Sequence, residues 1–389
     1  MTRTLYLPVP GGGLEPYTPR DSSRPYTPPH TPLTSRVAYA AAHVVAEAHT
    51  DSSPAETTGL DWDRTLAFRH ELWRWGFGVA EAMDTAQRGM GLDWPTAAEL
   101  IRRSAAEARS VGGRIVAGVS TDQLTAPEPS LAAITEAYLE QLAVTEEAGA
   151  TAVVMASRAL AAAPRTPEDY VTVYDRILGQ VSQPVVLHWL GDMFDPQLRG
   201  YWGSVDLDAA TDTVLAIINA HAPRIDGIKL SLLDADRERA LRRRLPAGVR
   251  LYTGDDFNYS ELILGDADSG HSDALLGVFA AIAPAASQAL QALDKGDVDA
   301  YRALMDPTVP LGRHLFETPT FHYKTGVVFL AWLNGHQDHF TMINQSRTSR
   351  SALHLAQLFR LADGTGLLRD SEVAADRMHS FLHLHGATR

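Results

Sequence analysis

From residue 35 onward, short apolar runs alternate with longer segments whose apolar residues recur at helical spacing. Eight of the short runs have the length and composition of strands: Val37–Val45, Gly78–Met83, Arg114–Val119, Ala152–Ala156, Pro184–Trp189, Gly227–Leu230, Arg250–Thr253 and Gly277–Ala281. Segments such as Trp94–Ser110, Leu131–Ala148 and Pro167–Gln180 lie between them and are predicted as helices. This alternation is typical of a parallel sheet with helical crossovers.

Eight such units before residue 290 predict a closed (β/α)₈ TIM barrel. An open doubly wound sheet would carry a glycine-rich phosphate-binding turn after its first strand, and residues His43 to Ser53 contain no such turn. Barrel enzymes hold their active sites at the carboxyl ends of the strands. Polar residues at those ends are therefore the first candidates for chemistry.

The chain is predicted to have three parts. Residues 1–34 are rich in proline and glycine and are predicted as an extended N-terminal arm, residues 35–290 as the barrel, and residues 291–389 as a C-terminal helical extension packed on it. The helices predicted near and beyond the end of the barrel are Ser287–Met305, Leu311–Phe316, Thr325–Leu333, Ser349–Leu361 and Asp370–His383.

Composition narrows the classes of function. The formal charge of −13 is spread along the chain, which argues against nucleic acid and anionic membranes as partners and favours a small-molecule substrate. The absence of cysteine excludes disulfides and thiolate chemistry. The N-terminus lacks the pattern of a signal peptide, and the apolar stretches are too short to cross a bilayer, so a cytoplasmic protein is expected.

The segment Ile225–Ser231 is an apolar strand that contains Lys229 near the catalytic end of the barrel. Burial between apolar strands disfavours the charged amine and lowers its pKa toward the neutral form that attacks a carbonyl. Imine formation is the chemistry that this position favours. The alternative is a surface lysine that happens to follow a strand.

These residues resemble the dihydrodipicolinate synthase and N-acetylneuraminate lyase superfamily of class I aldolases. Gly227-Ile228-Lys229 is similar to the family's sixth-strand segment, Gly254-Asp255-Asp256 to its Ser-Gly-Asp-Asp segment, and Gly277 to Pro284 to its eighth strand. The resemblance covers about residues 35 to 340. It implies that Lys229 is the Schiff-base lysine, and that the protein is a homo-oligomer, either a dimer or a tetramer.

Three departures from the family pattern bear on the substrate. Asp84-Thr85-Ala86-Gln87-Arg88 stands where the family has Gly-Thr-Thr-Gly-Glu, which grips a 2-oxo acid carboxylate. His188 takes the place of the proton-shuttling tyrosine, and histidine can relay protons near neutral pH. After the fourth strand, where the family often has paired tyrosines that reach across a subunit contact, this chain has Ser157-Arg158-Ala159-Leu160. For His188 the alternative is a buried histidine bonded to backbone.

The residues predicted at the site suggest a hydroxyl-rich substrate, such as a sugar or sugar acid, because carboxylates and amides suit hydroxyl groups. Beside the catalytic Lys229 and His188, the predicted substrate-binding residues are Asp84, Thr85, His43, Asp192, Asp255, Asn258 and Tyr259. Asp255 and Asp256 could instead accept backbone N–H bonds where a helix begins. No cofactor is predicted, and His336-Gln337-Asp338-His339 is interpreted as a polar turn rather than a metal site.

Three functions are compatible with these residues. The leading hypothesis is a Schiff-base lyase, aldolase or dehydratase, in which the imine on Lys229 withdraws electrons and His188 moves the proton. The second is a divalent-metal-dependent sugar isomerase or epimerase on the same barrel. The third is a non-catalytic barrel that binds a sugar. The presence of the Lys229 amine at the water-poor catalytic end of the barrel favours the Schiff-base hypothesis.

Overall fold

The computed structural model describes residues 3–20, 26–49, 59–162 and 165–387. Numbered along the chain, the strands are β1 (Leu5–Pro8), β2 (Leu14–Tyr17), β3 (Ala38–Ala41), β4 (Gly78–Glu81), β5 (Ile115–Val119), β6 (Thr151–Val154), β7 (Val185–Leu190), β8 (Ile225–Ser231), β9 (Arg250–Thr253) and β10 (Asp273–Leu276). The helices are α1 (Trp62–Arg74), α2 (Trp94–Val111), α3 (Leu131–Glu147), α4 (Arg158–Ala161), α5 (Pro167–Gln180), α6 (Leu207–His221), α7 (Ala235–Arg242), α8 (Tyr259–Leu264), α9 (Phe279–Asp294), α10 (Val298–Met305), α11 (Val309–Leu315), α12 (Tyr323–Leu333), α13 (Ala352–Gly364) and α14 (Ser371–Leu384).

These elements form two compact units. The barrel unit comprises residues 36–42 and 77–277, and the helical unit comprises residues 1–35, 43–76 and 278–389. In the barrel unit, strands β3 to β10 pair in parallel with their neighbours in sequence, and β10 pairs with β3 to close the barrel. The predicted (β/α)₈ TIM-barrel fold is therefore confirmed.

The interior of the barrel is filled by side chains that alternate along its strands. Because successive strand residues face opposite sides of a sheet, side chains from many strands can meet only inside the closed barrel. The buried residues of this cluster are Ala41, Ala80, Met83, Val116, Val153, Met155, Val186, Tyr252 and Leu275. Residues two positions further along a strand face the same interior, nearer the carboxyl ends.

Helix α5 shows how the sequence specifies the outer layer of the barrel unit. Thr166 and Asp169 form a reciprocal capping box, and Pro167 occupies the first turn, so the helix start is well defined. The residues that α5 buries recur at helical spacing: Tyr170, Val173, Tyr174, Ile177 and Leu178. The rings of Tyr170 and Tyr174 pack against Trp202, which anchors the loop that follows β7.

Two predicted elements near residue 280 were wrong. The eighth strand is Asp273–Leu276 rather than Gly277–Ala281, because the apolar run continues into α9, which begins at Phe279. The predicted helix Ser287–Met305 is two helices. Gly296 has a φ of +74°, which ends α9, and the Asp297 side chain accepts the backbone N–H of Ala300 to begin α10.

The helical unit contains an N-terminal hairpin that the sequence did not predict. Strands β1 and β2 pair antiparallel, and the hydroxyl of Tyr17 donates to Asp363 on α13 at 2.5 Å. The division of the chain at residues 34 and 290 stays a prediction. Within the described residues, no helix combines the length and apolar character that a membrane span requires.

Candidate active site

Lys229 faces the barrel interior near the carboxyl end of β8. A Cβ atom on Gly227 would lie 2.7 Å from the Tyr252 ring, which belongs to the interior cluster, so Gly227 points inward. Lys229 and Ser231 share that face because side chains alternate along a strand. Lys229 is only 8% exposed. The predicted lysine is thus enclosed rather than on the surface.

Burial controls the ionisation of the Lys229 amine. Desolvation lowers its pKa, and the carboxylates of Asp256 and Asp84 act in the opposite direction without reversing the shift. The chain has three lysines, Lys229, Lys295 and Lys324. Lys324 is also buried, but its amine donates to the Phe321 carbonyl at 3.1 Å and lies over the Tyr323 ring. For Lys229, burial shifts the amine toward its neutral, nucleophilic form.

Gly254 leaves the space that the Lys229 side chain occupies. It lies two residues beyond Tyr252 in the chain. A Cβ atom there would lie 2.1 Å from Ser231 Oγ and 2.9 Å from Lys229 Cε. Such distances are too short for any Cβ contact, so the site requires glycine at this position.

His188 is the neighbour of Lys229 across the β7–β8 pairing. Its Nε2 lies 3.2 Å from Ser231 Oγ, and its Nδ1 has no hydrogen-bond partner among the described residues. Burial, reinforced by the nearby Lys229, lowers the pKa of His188 well below its ordinary value. The ring is therefore a neutral imidazole at neutral pH, and the titration near pH 7 that the sequence suggested is not what the structure favours.

Asp84 and Thr85 lie in a short 3₁₀ turn that follows β4. Asp84 is half-buried and acts electrostatically on Lys229, whereas Thr85 is buried. A cavity of about 340 Å³ opens beside Asp84. Its lining is polar and includes Ser120, Thr121 and Arg158. Lys229 is not among the residues that line this cavity, and Asp84 connects the two.

The loop after β9 brings carboxylates to the same end of the barrel. Asp255 accepts the backbone N–H groups of Phe257 and Asn258 through Oδ1, and the Asn258 side chain through Oδ2. These hydrogen bonds between Asp255 and Asn258 stabilise the conformation of the loop. Tyr259 is fully buried as the first residue of α8. Asp256 is the carboxylate in this loop that acts on Lys229.

Two predicted site residues do not join this group in the barrel unit. Asp192 is exposed and lines a separate cavity of about 270 Å³ that follows β7. His43 belongs to the helical unit, where its Nε2 lies 3.0 Å from Gln337 Oε1 and its ring packs on Phe68. Burial lowers the pKa of His43 to about 3. Their roles in binding stay predictions.

Sequence reasoning missed Ser231 and gave Asp256 no firm role. The signal for Ser231 was available, because it lies two residues after Lys229 on the same strand and so shares its face.

The guanidinium group of Arg88 is occupied by contacts within the protein. It pairs with Asp122 at 2.6 Å and donates to the carbonyls of Ala82 and Gly118. It cannot grip a substrate in that arrangement.

The described histidines and carboxylates around Lys229 do not converge as a metal site. In the described part of the chain, one group of three such side chains has ligand spacing, and it lies in the helical unit: His314, Glu317 and His354. Gln337 accepts from His43 Nε2 through its Oε1 and donates to the His339 carbonyl, while burial lowers the pKa of His336 to about 4. Hydrogen bonds of Gln337 thus hold the segment 336–339 in place.

This barrel is similar in fold to dihydrodipicolinate synthases. The enzyme from Acinetobacter baumannii, solved in complex with pyruvate, is 18% identical, with a TM-score of 0.62 over 86% of this chain and 100% of that chain. The enzyme from Cyanidioschyzon merolae, solved with lysine bound, is 15% identical, with a TM-score of 0.64 over 86% and 99%. At these identities the likeness shows the fold.

Part of the chain also matches a curated enzyme in sequence. Over 115 residues the chain is 36% identical to the 4-hydroxy-tetrahydrodipicolinate synthase of Alcanivorax borkumensis, which is 29% of this chain and 37% of that enzyme. The matched stretch therefore spans little more than a third of the relative. With the shared fold, it confirms the predicted resemblance to the dihydrodipicolinate synthase and N-acetylneuraminate lyase superfamily.

The family model that matches the chain covers residues 5–387 and is described as "Protein of unknown function (DUF993)". Because the match includes nearly the whole chain, the protein belongs to the DUF993 family.

Proposed function

We propose that this protein is a Schiff-base-forming lyase of the class I aldolase type, with Lys229 as the nucleophile. The observation that carries the proposal is the enclosed Lys229 amine, whose pKa burial lowers. A neutral amine is the form that adds to a carbonyl, and arginine, which this chain uses far more often, cannot do so. The likeness to dihydrodipicolinate synthases supports the same class of reaction.

The proposed reaction begins when the Lys229 Nζ lone pair adds to the substrate carbonyl carbon. Loss of water from the adduct gives a protonated imine. In a lyase reaction a C–C bond then breaks with its electron pair moving toward the imine nitrogen. In a dehydration a proton leaves the carbon beside the imine, its electron pair moves toward the nitrogen, and the C–O bond then breaks with its pair leaving on oxygen, which takes up a proton as water. Protonation of the resulting enamine and hydrolysis of the imine return the free amine. Each step moves a proton close to Nζ.

His188 and Ser231 are the groups proposed to move these protons. The Ser231 hydroxyl lies 3.2 Å from the His188 Nε2, and a neutral imidazole can accept a proton at one nitrogen while its other nitrogen donates. His188 Nδ1 has no partner among the described residues, which leaves it available for this exchange. Because the pKa of His188 is lowered, its protonated form is a strong acid, so a proton that the ring accepts is passed on readily.

The substrate is proposed to be a small polyhydroxylated carbonyl compound, a sugar or sugar acid. Asp84 stands where the resembled family has glycine in its carboxylate grip, and a carboxylate there accepts hydroxyl bonds but repels an anionic group. The polar lining of the adjoining cavity supports the same substrate class. Pyruvate alone fits this arrangement poorly.

The test is borohydride reduction of the full-length protein with a panel of 2-oxo acids, keto sugars and sugar acids, followed by intact mass. A ligand-dependent mass gain that Lys229→Ala abolishes and Lys295→Ala leaves unchanged would support the proposal and name the substrate class. Lys295 is an exposed residue at the end of α9 and serves as the matched control. No gain with any ligand would favour the metal-dependent or non-catalytic alternatives.

A further inference from the structure

Three side chains of the helical unit converge around one carboxylate. His314 lies in the last turn of α11, Glu317 follows that helix, and His354 lies in the first turn of α13, whose start the Ser351 side chain caps. One donor atom from each of His314, Glu317 and His354 lies within 4.8 Å of the other two. None of them takes part in the chemistry proposed for Lys229.

The hydrogen bonds of His314 fix which of its nitrogens carries hydrogen. Its Nε2 lies 2.9 Å from the backbone carbonyl of His354, which can only accept, so Nε2 carries the hydrogen. In a neutral ring, Nδ1 then presents a lone pair, and it faces a carboxylate oxygen of Glu317 at 3.3 Å. Two lone pairs at this distance repel unless a positive species lies between them.

The second histidine meets the same carboxylate from α13. Its Nδ1 lies 2.9 Å from the other oxygen of Glu317, and the rings of His314 and His354 stack with centroids 4.1 Å apart. His354 is buried, and its Nε2 has no hydrogen-bond partner among the described residues. The Glu317 side chain is 48% exposed, which gives water access to its side of the cluster.

We propose that His314, His354 and Glu317 bind one divalent cation of the zinc class, with water completing its coordination. Two imidazole nitrogens and a carboxylate suit Zn²⁺, whereas Mg²⁺ and Ca²⁺ prefer all-oxygen sites. A ligand histidine commonly donates its second ring N–H to a backbone carbonyl, as His314 does to His354. The cation would join the end of α11 to the start of α13.

A neighbouring arginine holds the segment that carries the carboxylate. Arg350 donates through Nη2 to the backbone carbonyls of Glu317 at 2.7 Å and of Pro319 at 3.0 Å. These bonds fix the backbone between α11 and α12 and leave the Glu317 carboxylate to the two histidines. The donors are therefore positioned before the cation arrives, which reduces the ordering cost of binding.

The test uses full-length protein freed of metal with a chelator and titrated with zinc sulfate. We expect one equivalent of Zn²⁺ per chain, a rise in Tm with Zn²⁺, and visible absorption of a four-coordinate site when Co²⁺ replaces it. Glu317→Gln and His314→Gln should each lower Zn²⁺ affinity at least about tenfold and remove the rise in Tm.

His221→Gln is the matched control, because His221 also pairs with a carboxylate, that of Asp175 at 2.7 Å, but belongs to no group of three metal-ligand side chains among the described residues. It should bind Zn²⁺ as the native protein does. The proposal is overturned if the native chain binds no full equivalent, or if Glu317→Gln and His314→Gln both bind it at native affinity, which would place the ion on others of the fifteen histidines.

Discussion

Two opposing effects act on the amine of Lys229. Burial lowers its pKa, and the carboxylates of Asp256 and Asp84 raise it, with burial the larger effect. The balance leaves a neutral amine accessible while the carboxylates remain close enough to stabilise the positive charge of an imine. Single residues around Lys229 therefore set the pH range over which an imine can form.

Asp84→Asn should shift the reactivity of Lys229 to lower pH. Removing the carboxylate removes an attraction that favours the charged amine, so the pKa of Lys229 falls further. The measurement is the rate of borohydride trapping with dihydroxyacetone, an uncharged probe, as a function of pH. Asp299→Asn, at an exposed position on α10, should leave the profile unchanged. If the pH profile of trapping by Asp84→Asn is unchanged or moves to higher pH, the electrostatic effect of Asp84 on Lys229 is contradicted.

Gly254→Ala should damage both packing and trapping. The added methyl would lie 2.1 Å from Ser231 Oγ and 2.9 Å from Lys229 Cε, so both side chains must move. We expect a loss of about 1–3 kcal/mol in the free energy of unfolding and at least a tenfold loss in trapping rate. The control is Gly179→Ala in α5, where nothing lies within 4 Å and alanine should stabilise slightly. Equal behaviour of the two variants would show that the site tolerates a side chain at 254.

At the scale of elements, Glu238 links α7 to the loop that faces Lys229. Its carboxyl group, which is buried, accepts the hydroxyls of Thr253 at the end of β9 and Ser272 just before β10. Thr253 in turn accepts the backbone N–H of Asp255. Burial raises the pKa of Glu238 to about 8. A buried group thus helps to position the loop that contains Asp256.

Glu238 should make the protein less stable as pH rises between about 4.5 and 8. Its pKa is higher in the folded state, so the folded protein binds more protons over this range and stability falls as they leave. Glu238→Gln removes that titration. The free energy of unfolding of the variant, relative to that of the native protein, should therefore rise by on the order of a few kcal/mol from pH 5 to pH 8, as measured by urea unfolding. Glu136→Gln, an exposed change on α3, should show no such gain. An equal pH dependence for native and Glu238→Gln proteins would contradict the buried-acid assignment.

The sequence predicted elements well where the hydrophobic periodicity and the residues that begin or end an element agreed. Pro167–Gln180 was predicted with the bounds that the structure has, because its capping residues and buried stripe are both local signals. The strand Asp273–Leu276 was displaced because an apolar run into α9 has no period that separates strand from helix. The N-terminal hairpin was missed because glycine and proline suggested an unpaired arm, whereas Tyr17 is bonded to the distant Asp363.

At the scale of the whole molecule, the barrel order followed from counting β/α units, and the enclosure of Lys229 was expected from its place in an apolar strand near the catalytic end of the barrel. Which polar groups accompany that lysine depends on loops, whose conformation the sequence pattern does not specify. Asp255 and Asn258 are bonded to each other, His43 lies in the helical unit, and Asp256 is the carboxylate of the β9 loop that acts on the amine. Those outcomes are properties of three-dimensional contacts.

The prediction that the chain forms a homo-oligomer belongs to this scale. It rests on the resemblance to a superfamily whose members are commonly dimers or tetramers. Sedimentation equilibrium of the native protein should give twice or four times the chain mass of 42.3 kDa. The mass should not change with Lys229→Ala, which alters the barrel interior only. A stable monomer at micromolar concentration would contradict the prediction.

The central claim is that Lys229 forms an imine, and peptide mapping of the borohydride-reduced protein tests it most directly. The chain has only three lysines, so the modified residue can be assigned without ambiguity. The account predicts that, with a substrate-class carbonyl compound, the adduct lies on Lys229 and on neither the exposed Lys295 nor the buried Lys324. Labelling of Lys295 alone, or no labelling with any member of the panel, would contradict it.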